Sequence, residues 1–273
     1  MRKEIQMINY KSFFGFTKEP FSQSIKTEEI FQTQAIEAAT ERISYAINLG
    51  AVSVLTGEVG TGKSTTLRFV VSKLHPSQYK IIHVIASTGS VLEILRQISI
   101  ALDVESRSNS RAMLTKTIRN ILIEISKRKQ TPVVIIDEAQ LLRLDVFLQL
   151  HTLGQFEMDS NPLMPLILAG QNSLIDKLMY HSSRPLASRV VGKTFLEGLK
   201  LKDMSGYLNH HLSIAGMTKQ IFSEEAILAI QQTSSGLLRR ANILAAGSLI
   251  AAAKEQCPVV SAEHVRIAST EII

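Results

Sequence analysis

The sequence predicts an α/β protein: a parallel sheet covered by helices on both faces, followed by a small all-helical unit. Three observations lead there. Short, continuous apolar runs alternate with helical patterns from about residue 51 to 196, as expected for parallel strands buried on both sides. A glycine-rich loop joins the first of these runs to the first helical pattern. After about Gly198 the strand signals stop and only helical periodicity continues, which marks a change of architecture. The expected division is residues 1–198, with a Phe-rich start, and residues 199–273.

Taken in order, residues 1–34 hold Phe13, Phe14, Phe16, Phe21 and Phe31, half of the ten phenylalanines. A segment with that much apolar surface should be pinned to the body of the protein. Ala51–Thr56 reads as a buried strand and Lys63–Leu74 as the helix after it. Ile81–Ala86 is a second strand. Ser90 with Glu93 has the spacing of a capping box and should open a helix running to about Leu102. Arg111–Lys127 is a helix with Leu114, Ile118, Leu122 and Ile125 along one side. Val133–Ile136, Leu166–Ala169 and Lys193–Leu196 complete a set of five strands. Lys202–Ala215, Ser223–Thr233, Leu238–Lys254 and Ser261–Thr270 read as helices, with Ser223 and Ser261 as N-caps and Pro258 between the last two.

The chain has 273 residues, 45% apolar and 20% charged, enough for a sizeable core and unlike a disordered chain. Its single cysteine, Cys257, excludes a disulfide framework and a cysteine-built zinc site. No His/Asp/Glu set has zinc spacing, and the adjacent His210 and His211 would point apart on a helix. The first residues lack the apolar core of a secretory signal. The longest mostly apolar stretch, 241–253, is too short to span a bilayer, which takes about 20 residues. The expectation is a soluble, cytoplasmic protein with no membrane partner.

The strongest motif is Gly57-Glu58-Val59-Gly60-Thr61-Gly62-Lys63-Ser64, which fits the phosphate-loop pattern G-x-x-x-x-G-K-[ST] between a strand and a helix. Its glycines allow a tight turn whose N–H groups face a phosphate chain at a positive helix end. Lys63 would reach the β- and γ-phosphates and Ser64 would ligate Mg²⁺. The second motif is the strand Val133–Ile136 running into Asp137 and Glu138. Asp137 would hold Mg²⁺ through water, and Glu138 would polarise the attacking water. Two acids ending a strand also suit a helix cap; the upstream phosphate loop favours hydrolysis over a passive nucleotide-binding scaffold. Both motifs end strands, where open parallel sheets bind ligands.

GEVGTGKS and VVIIDEAQ together resemble the AAA+ ATPases. With Phe13-Phe14-Gly15-Phe16, Pro20-Phe21, LTGEVGTGKST, IIDEAQ and ILAGQ, the chain closely resembles the ExeA-type group over nearly its whole length. That group includes a secretion-associated ATPase and the target-selecting ATPases of DNA transposons, with TnsC, MuB and IstB as functional relatives. The resemblance implies a P-loop AAA+ doubly wound sheet ordered 5-1-4-3-2 with a C-terminal helical lid. It implies ATP and Mg²⁺ as cofactors and Gly57, Glu58, Val59, Gly60, Thr61, Gly62, Lys63, Ser64, Thr65 and Asp137 as nucleotide and metal contacts. Gln171 looks like the sensor-1 residue. Arg184 and Arg189 lie where the family places its arginine finger, with Arg189, just before the fifth strand, preferred. Gly236–Asn242 resembles the sensor-2 stretch, with Arg239 as its arginine and Leu238 where the family has proline.

The chain carries 30 Lys+Arg against 24 Asp+Glu, a formal charge of +6. Residues 107–129 hold seven basic residues and one acid, Glu124, so this block alone matches the whole excess. Such a block suits sequence-tolerant binding of duplex DNA phosphates and equally suits a solvated helix face. By the family resemblance Ser87, Thr88, Arg107, Ser108 and Arg111 are the candidate DNA contacts. The expected function is an ATPase that assembles as a homo-oligomer, ring or filament, on duplex DNA and regulates transposition through target selection and recruitment of a transposase. The alternative is a secretion-accessory ATPase acting on cell-envelope assembly, for which a membrane helix beyond the lid is expected.

Overall fold

The computed structural model describes residues 9–104 and 110–270. In chain order its elements are α1 (Tyr10–Phe14), α2 (Gln34–Asn48), β1 (Val52–Gly57), α3 (Lys63–Lys73), β2 (Tyr79–Ile85), α4 (Val91–Ala101) and α5 (Arg111–Lys127). Then come β3 (Thr131–Asp137), α6 (Leu144–Leu153), β4 (Leu166–Gly170), α7 (Ser173–Met179), α8 (Arg184–Ala187) and β5 (Val190–Leu196). The last four helices are α9 (Leu201–Ile214), α10 (Glu224–Ser234), α11 (Leu238–Lys254) and α12 (Ala262–Ser269). Two compact units result: Gln34–Glu58 with Lys63–Leu196, and Met1–Thr33 with Val59–Gly62 and Glu197–Ile273.

The α/β unit is built on a five-stranded sheet ordered β2-β3-β4-β1-β5, with every pairing parallel. This is the expected 5-1-4-3-2 order viewed from the other edge. Alternation along the strands splits the apolar residues between two cores. Val52, Val54, Val134, Ile136, Leu166 and Leu168 share one with α4, α5 and α6. Leu55, Val133, Ile135, Ile167 and Ala169 share the other with residues of α2 and α3. Burial on both faces explains why the strands read as unbroken apolar runs. On α5, Leu114, Ile118 and Leu122 are fully buried at a spacing of four, which leaves Arg111, Lys116, Asn120 and Lys127 exposed. One local expectation is not met. Ser90 is the N-cap of α4, but its hydroxyl makes no capping bond; Glu93 instead accepts from the Gln97 amide, so the box spacing is present without its bonds.

The second unit is helical, and the Phe-rich segment expected with residues 1–198 is part of it. Phe14, Phe16 and Phe21 share a core with Tyr207, Leu208, Leu244 and Leu249. Gly15, at φ 73°, closes α1, and Thr17 then joins the helices through its N–H and hydroxyl, both on the Ala215 carbonyl. The His210 and His211 rings meet edge-on, with centroids 6.0 Å and planes 87° apart. The His210 ring nitrogen meets the Glu29 carbonyl at 2.6 Å. His211 is buried, stacked on Phe21 and edge-on to Tyr207. Among the described residues no helix is long and apolar enough to cross a membrane.

Burial, with a smaller contribution from His210, pushes the His211 pKa down to about 4. The unfolded chain therefore takes up this proton first as pH falls below about 6.5. The stabilising effect of a neutral His211 is complete above that pH and is lost as pH drops towards about 4. The loss expected between pH 7 and pH 4 is about 3 kcal/mol. Melting curves of the parent chain and His211→Leu over this range measure it. The variant should lose markedly less stability on acidification, and parallel curves would exclude the assignment.

Candidate functional site

β1 ends at Gly57 and α3 begins at Lys63, so the glycine-rich loop connects strand to helix as its motif requires. Gly60 and Gly62 adopt φ of 91° and 94°, a region that side chains other than glycine rarely enter. Space around them is also short. A Cβ on Gly62 would lie 3.0 Å from Leu238 Cδ1, and one on Gly60 would lie 3.2 Å from Arg239 Cβ. The Arg239 N–H donates to the Gly60 carbonyl at 3.2 Å, so the first turn of α11 rests on the loop. Leu238, standing where the resemblance expects proline, makes part of that contact. The Arg239 side chain is exposed.

Lys63 is 7% exposed. Its ammonium donates to the carbonyls of Gly57 at 3.0 Å and Glu58 at 2.9 Å, acceptors that offset the cost of burying a charge. One residue on, Ser64 Oγ donates to Asp137 Oδ2 at 3.0 Å. Asp137 ends β3 and is 8% exposed; its other oxygen accepts the Glu138 N–H at 2.8 Å. A hydroxyl and a carboxylate at this separation are two hard oxygen donors, and Mg²⁺ commonly takes one or two protein oxygens together with substrate phosphates. The pair fits that ion. Thr65 follows on α3, half-buried.

Glu138 sits at φ 55° and ψ 31° and caps the short 3-10 turn Ala139–Leu141. Its Oε2 accepts from Gln140 Nε2 at 2.6 Å. The oxygen of the same Gln140 amide accepts the Gln171 N–H at 3.0 Å. Lys177, on α7, donates to the carbonyls of Gln140 and Leu142 at 2.5 and 2.7 Å. The motif residues Lys63, Ser64, Asp137, Glu138 and Gln171 therefore gather at one end of the sheet. Gln140 and Lys177 were not singled out by sequence reasoning. The signal for Gln140 was a polar residue two places after the glutamate; Lys177 leaves no local signature.

The arginines differ in environment. Arg189 is paired with Asp159, and a Cβ on Gly154 would meet its guanidinium at 3.7 Å. Burial, then the nearby Arg189 charge, lowers the pKa of His151. Arg184 is exposed at the start of α8, and among the described residues its guanidinium has no hydrogen bond or ion pair. Ser87 and Thr88 are exposed after β2, and Arg111 is exposed at the start of α5. Arg107 and Ser108 lie outside the described residues. Along α5 a cleft of about 590 Å³ is lined by Arg111, Lys116, Arg119 and Asn120 among others. Arg119 is engaged there with the Thr152 and Leu153 carbonyls and lies 4.4 Å over the Phe156 ring.

Folding also assembles a group that spacing did not suggest: Glu255, Cys257 and His264 place potential ligand atoms within 4.8 Å of one another. The bonding opposes a metal there. The Ser261 N–H points at His264 Nδ1 at 2.9 Å, which leaves the ring proton on Nε2, facing Glu255 Oε2 at 3.1 Å. A metal on Nε2 needs the proton on Nδ1 instead. The group is a helix start tied to the preceding turn.

Comparison with known proteins bears on the fold. Residues 48–178 match the family model described as AAA domain. The chain is 30% identical over 245 residues to General secretion pathway protein A of Aeromonas hydrophila, covering 89% of itself and 45% of that protein; it spans about half the length of this curated relative. Among solved structures it resembles Cdc6p from Pyrobaculum aerophilum, with TM-score 0.74 and 16% identity over 96% of this chain and 71% of that one. It also resembles the Aeropyrum pernix ORC1 protein solved in complex with DNA, at 0.68 and 16% over 92% and 68%. The Thermotoga maritima RuvB Holliday junction branch migration motor follows at 0.57 and 19%, over 95% and 73%. The fold is that of these P-loop AAA+ structural neighbours, and residues 48–178 match the AAA domain model.

Proposed function

We propose that the chain is a Mg²⁺-dependent ATPase whose nucleotide cycle controls its own assembly on duplex DNA. The observation that carries the enzymatic part is the Ser64–Asp137 hydrogen bond beside Glu138, which brings the phosphate loop and the acidic strand end together. In this reading Lys63 exchanges its two carbonyl acceptors for phosphate oxygens, while Ser64 and Asp137 hold Mg²⁺, which would neutralise developing phosphate charge. Glu138 takes a proton from, or orients, the attacking water. Gln171 reports on the γ-phosphate, and Arg239 pairs with phosphate. Glu138 distinguishes this from a passive nucleotide switch.

For the finger the structure supports Arg184 over Arg189. A group that completes a neighbouring subunit's site must be exposed and uncommitted. Arg184 is exposed with no partner among the described residues, whereas Arg189 is held by Asp159.

The DNA part is supported by the exposed Arg111 and Lys116 on the α5 face and by Ser87 and Thr88 after β2. On that reading the oligomer selects a transposition target and recruits a transposase. The identity to General secretion pathway protein A favours a second reading, an accessory ATPase of secretion acting on cell-envelope assembly.

Lys63→Ala should abolish nucleotide binding in calorimetry; unchanged affinity would remove the phosphate-loop assignment. Glu138→Gln should keep ATP binding and lower hydrolysis by about 10²- to 10⁴-fold, and wild-type turnover would remove Glu138 as the hydrolytic base. Arg184→Ala subunits mixed with Glu138→Gln subunits should regain activity that neither has alone, because a mixed interface pairs an intact Arg184 with an intact Glu138.

Duplex DNA binding measured with ATP, ADP and no nucleotide, over a salt series, separates the two cellular readings. Binding that needs ATP and falls steeply with salt supports assembly on DNA. Absence of binding in all three states leaves the secretion reading.

A further inference from the structure

We propose that Gln140 is a positioning residue that locks the Glu138 carboxylate to the carboxyl end of β4, so that the hydrolytic acid and the Gln171 peptide move as one unit. The inference rests on the reading of Glu138 as the residue that activates water.

Gln140 is 7% exposed, and its carboxamide is used at both ends. The Gln171 N–H can only donate, so the amide oxygen must face it, at 3.0 Å. The carboxylate of Glu138 can only accept, so the amide nitrogen must face Oε2, at 2.6 Å. The two contacts leave one orientation of the amide. The backbone beneath it is fixed as well. Lys177 holds the Gln140 and Leu142 carbonyls, and the Leu141 N–H returns to the Glu138 carbonyl at 2.8 Å.

A separate feature points the same way. A Cβ on Gly170 would lie 2.4 Å from the Gln140 amide oxygen and 3.1 Å from the Gln140 nitrogen. Gly170 has no positive φ that would call for glycine. The absence of a side chain there is explained by the room the amide needs to reach Gln171.

The consequence is chemical. One Glu138 oxygen is engaged by a strong donor, and the other remains as the acceptor for water. The carboxylate cannot turn without breaking the amide bridge, and the bridge ends on the residue after β4. A shift of Gln171 is therefore transmitted to the acid through one side chain.

Gln140→Glu separates this role from a merely structural one. It is close to isosteric and keeps an oxygen facing the Gln171 N–H, but as a carboxylate it has no hydrogen to donate to Glu138. The expected result is a kcat about ten- to a hundred-fold lower, with ADP affinity within about two-fold of wild type. Gly170→Ala, which leaves Gln140 in the chain but displaces its amide, should lower kcat similarly with ADP affinity retained. Wild-type kcat in Gln140→Glu would overturn the proposal, as would an ADP affinity that falls in step with kcat in both variants. Glu138→Gln assayed beside them distinguishes the layers. If it hydrolyses ATP normally, the reading of Glu138 fails and this proposal with it. If it is inactive while Gln140→Glu is normal, only the role of Gln140 fails.

Discussion

The parallel register of β1, β4 and β3 is the constraint from which the candidate site follows. Val54 and Ile136 both lie opposite Leu168, so three strands run in step towards the same edge. Each leaves the sheet within about two residues of the others, and each exit carries a group that the proposed chemistry uses: the loop after Gly57, the acids Asp137 and Glu138, and Gln171. No side chain has to reach far. The Ser64–Asp137 bond at 3.0 Å depends on this, because Ser64 is fixed by α3 and Asp137 by β3, and neither residue is free to search for the other. Parallel sheets concentrate ligand sites at their carboxyl ends for the same geometric reason.

Burial at that edge then forces specific partners. A buried ammonium, carboxylate or amide without a hydrogen bond costs more than a bond returns. Lys63 meets this demand by folding back on its own loop, onto the Gly57 and Glu58 carbonyls. Asp137 divides its two oxygens between Ser64 and the Glu138 N–H. Glu138 adopts a left-handed backbone, a conformation that costs a residue with a side chain about 1–2 kcal/mol, and the turn that this opens is held by Lys177 and Gln140. The strained residue is thus the one to which the proposed mechanism assigns the attacking water.

Legibility in the sequence followed the range of the interactions. The strands, the phosphate loop and the acidic strand end are local patterns, and α5 and α11 begin and end where periodicity placed them. Contacts made across many residues were not legible. Gln140 meets Gln171 across 31 positions and Lys177 across 37, and no periodicity records either. The pairing of Arg189 with Asp159 is of the same kind, and it changes which arginine suits an intersubunit role. Ser90 illustrates the converse limit. The spacing to Glu93 was right for a capping box, yet the bond also depends on the rotamer of one hydroxyl, which spacing does not encode. The Phe-rich segment was correctly expected to be pinned, but its host could not be read from its own residues.

That host is decided by volume. α11 is rich in small residues, with Ala241, Ala245, Ala252 and Ala253 buried on it, and a Cβ on Gly247 would already touch Ala268 at 2.9 Å. Small side chains let α12 approach closely on one side. A helix of alanines supplies little apolar bulk of its own, and a close-packed interior must take that bulk from elsewhere. Phe14, Phe16 and Phe21, with Tyr207 from α9, provide it, and their rings stack, tilt or meet edge-on with centroids 4.6–6.1 Å apart where they contact one another, His211 and Phe222. The aromatic run at the start of the chain and the alanine run near its end are therefore complementary halves of one core. This also accounts for the apolar stretch at 241–253, which is short because it needs only to cross a small helical unit, and which is covered by aromatic rings brought from the opposite end of the sequence.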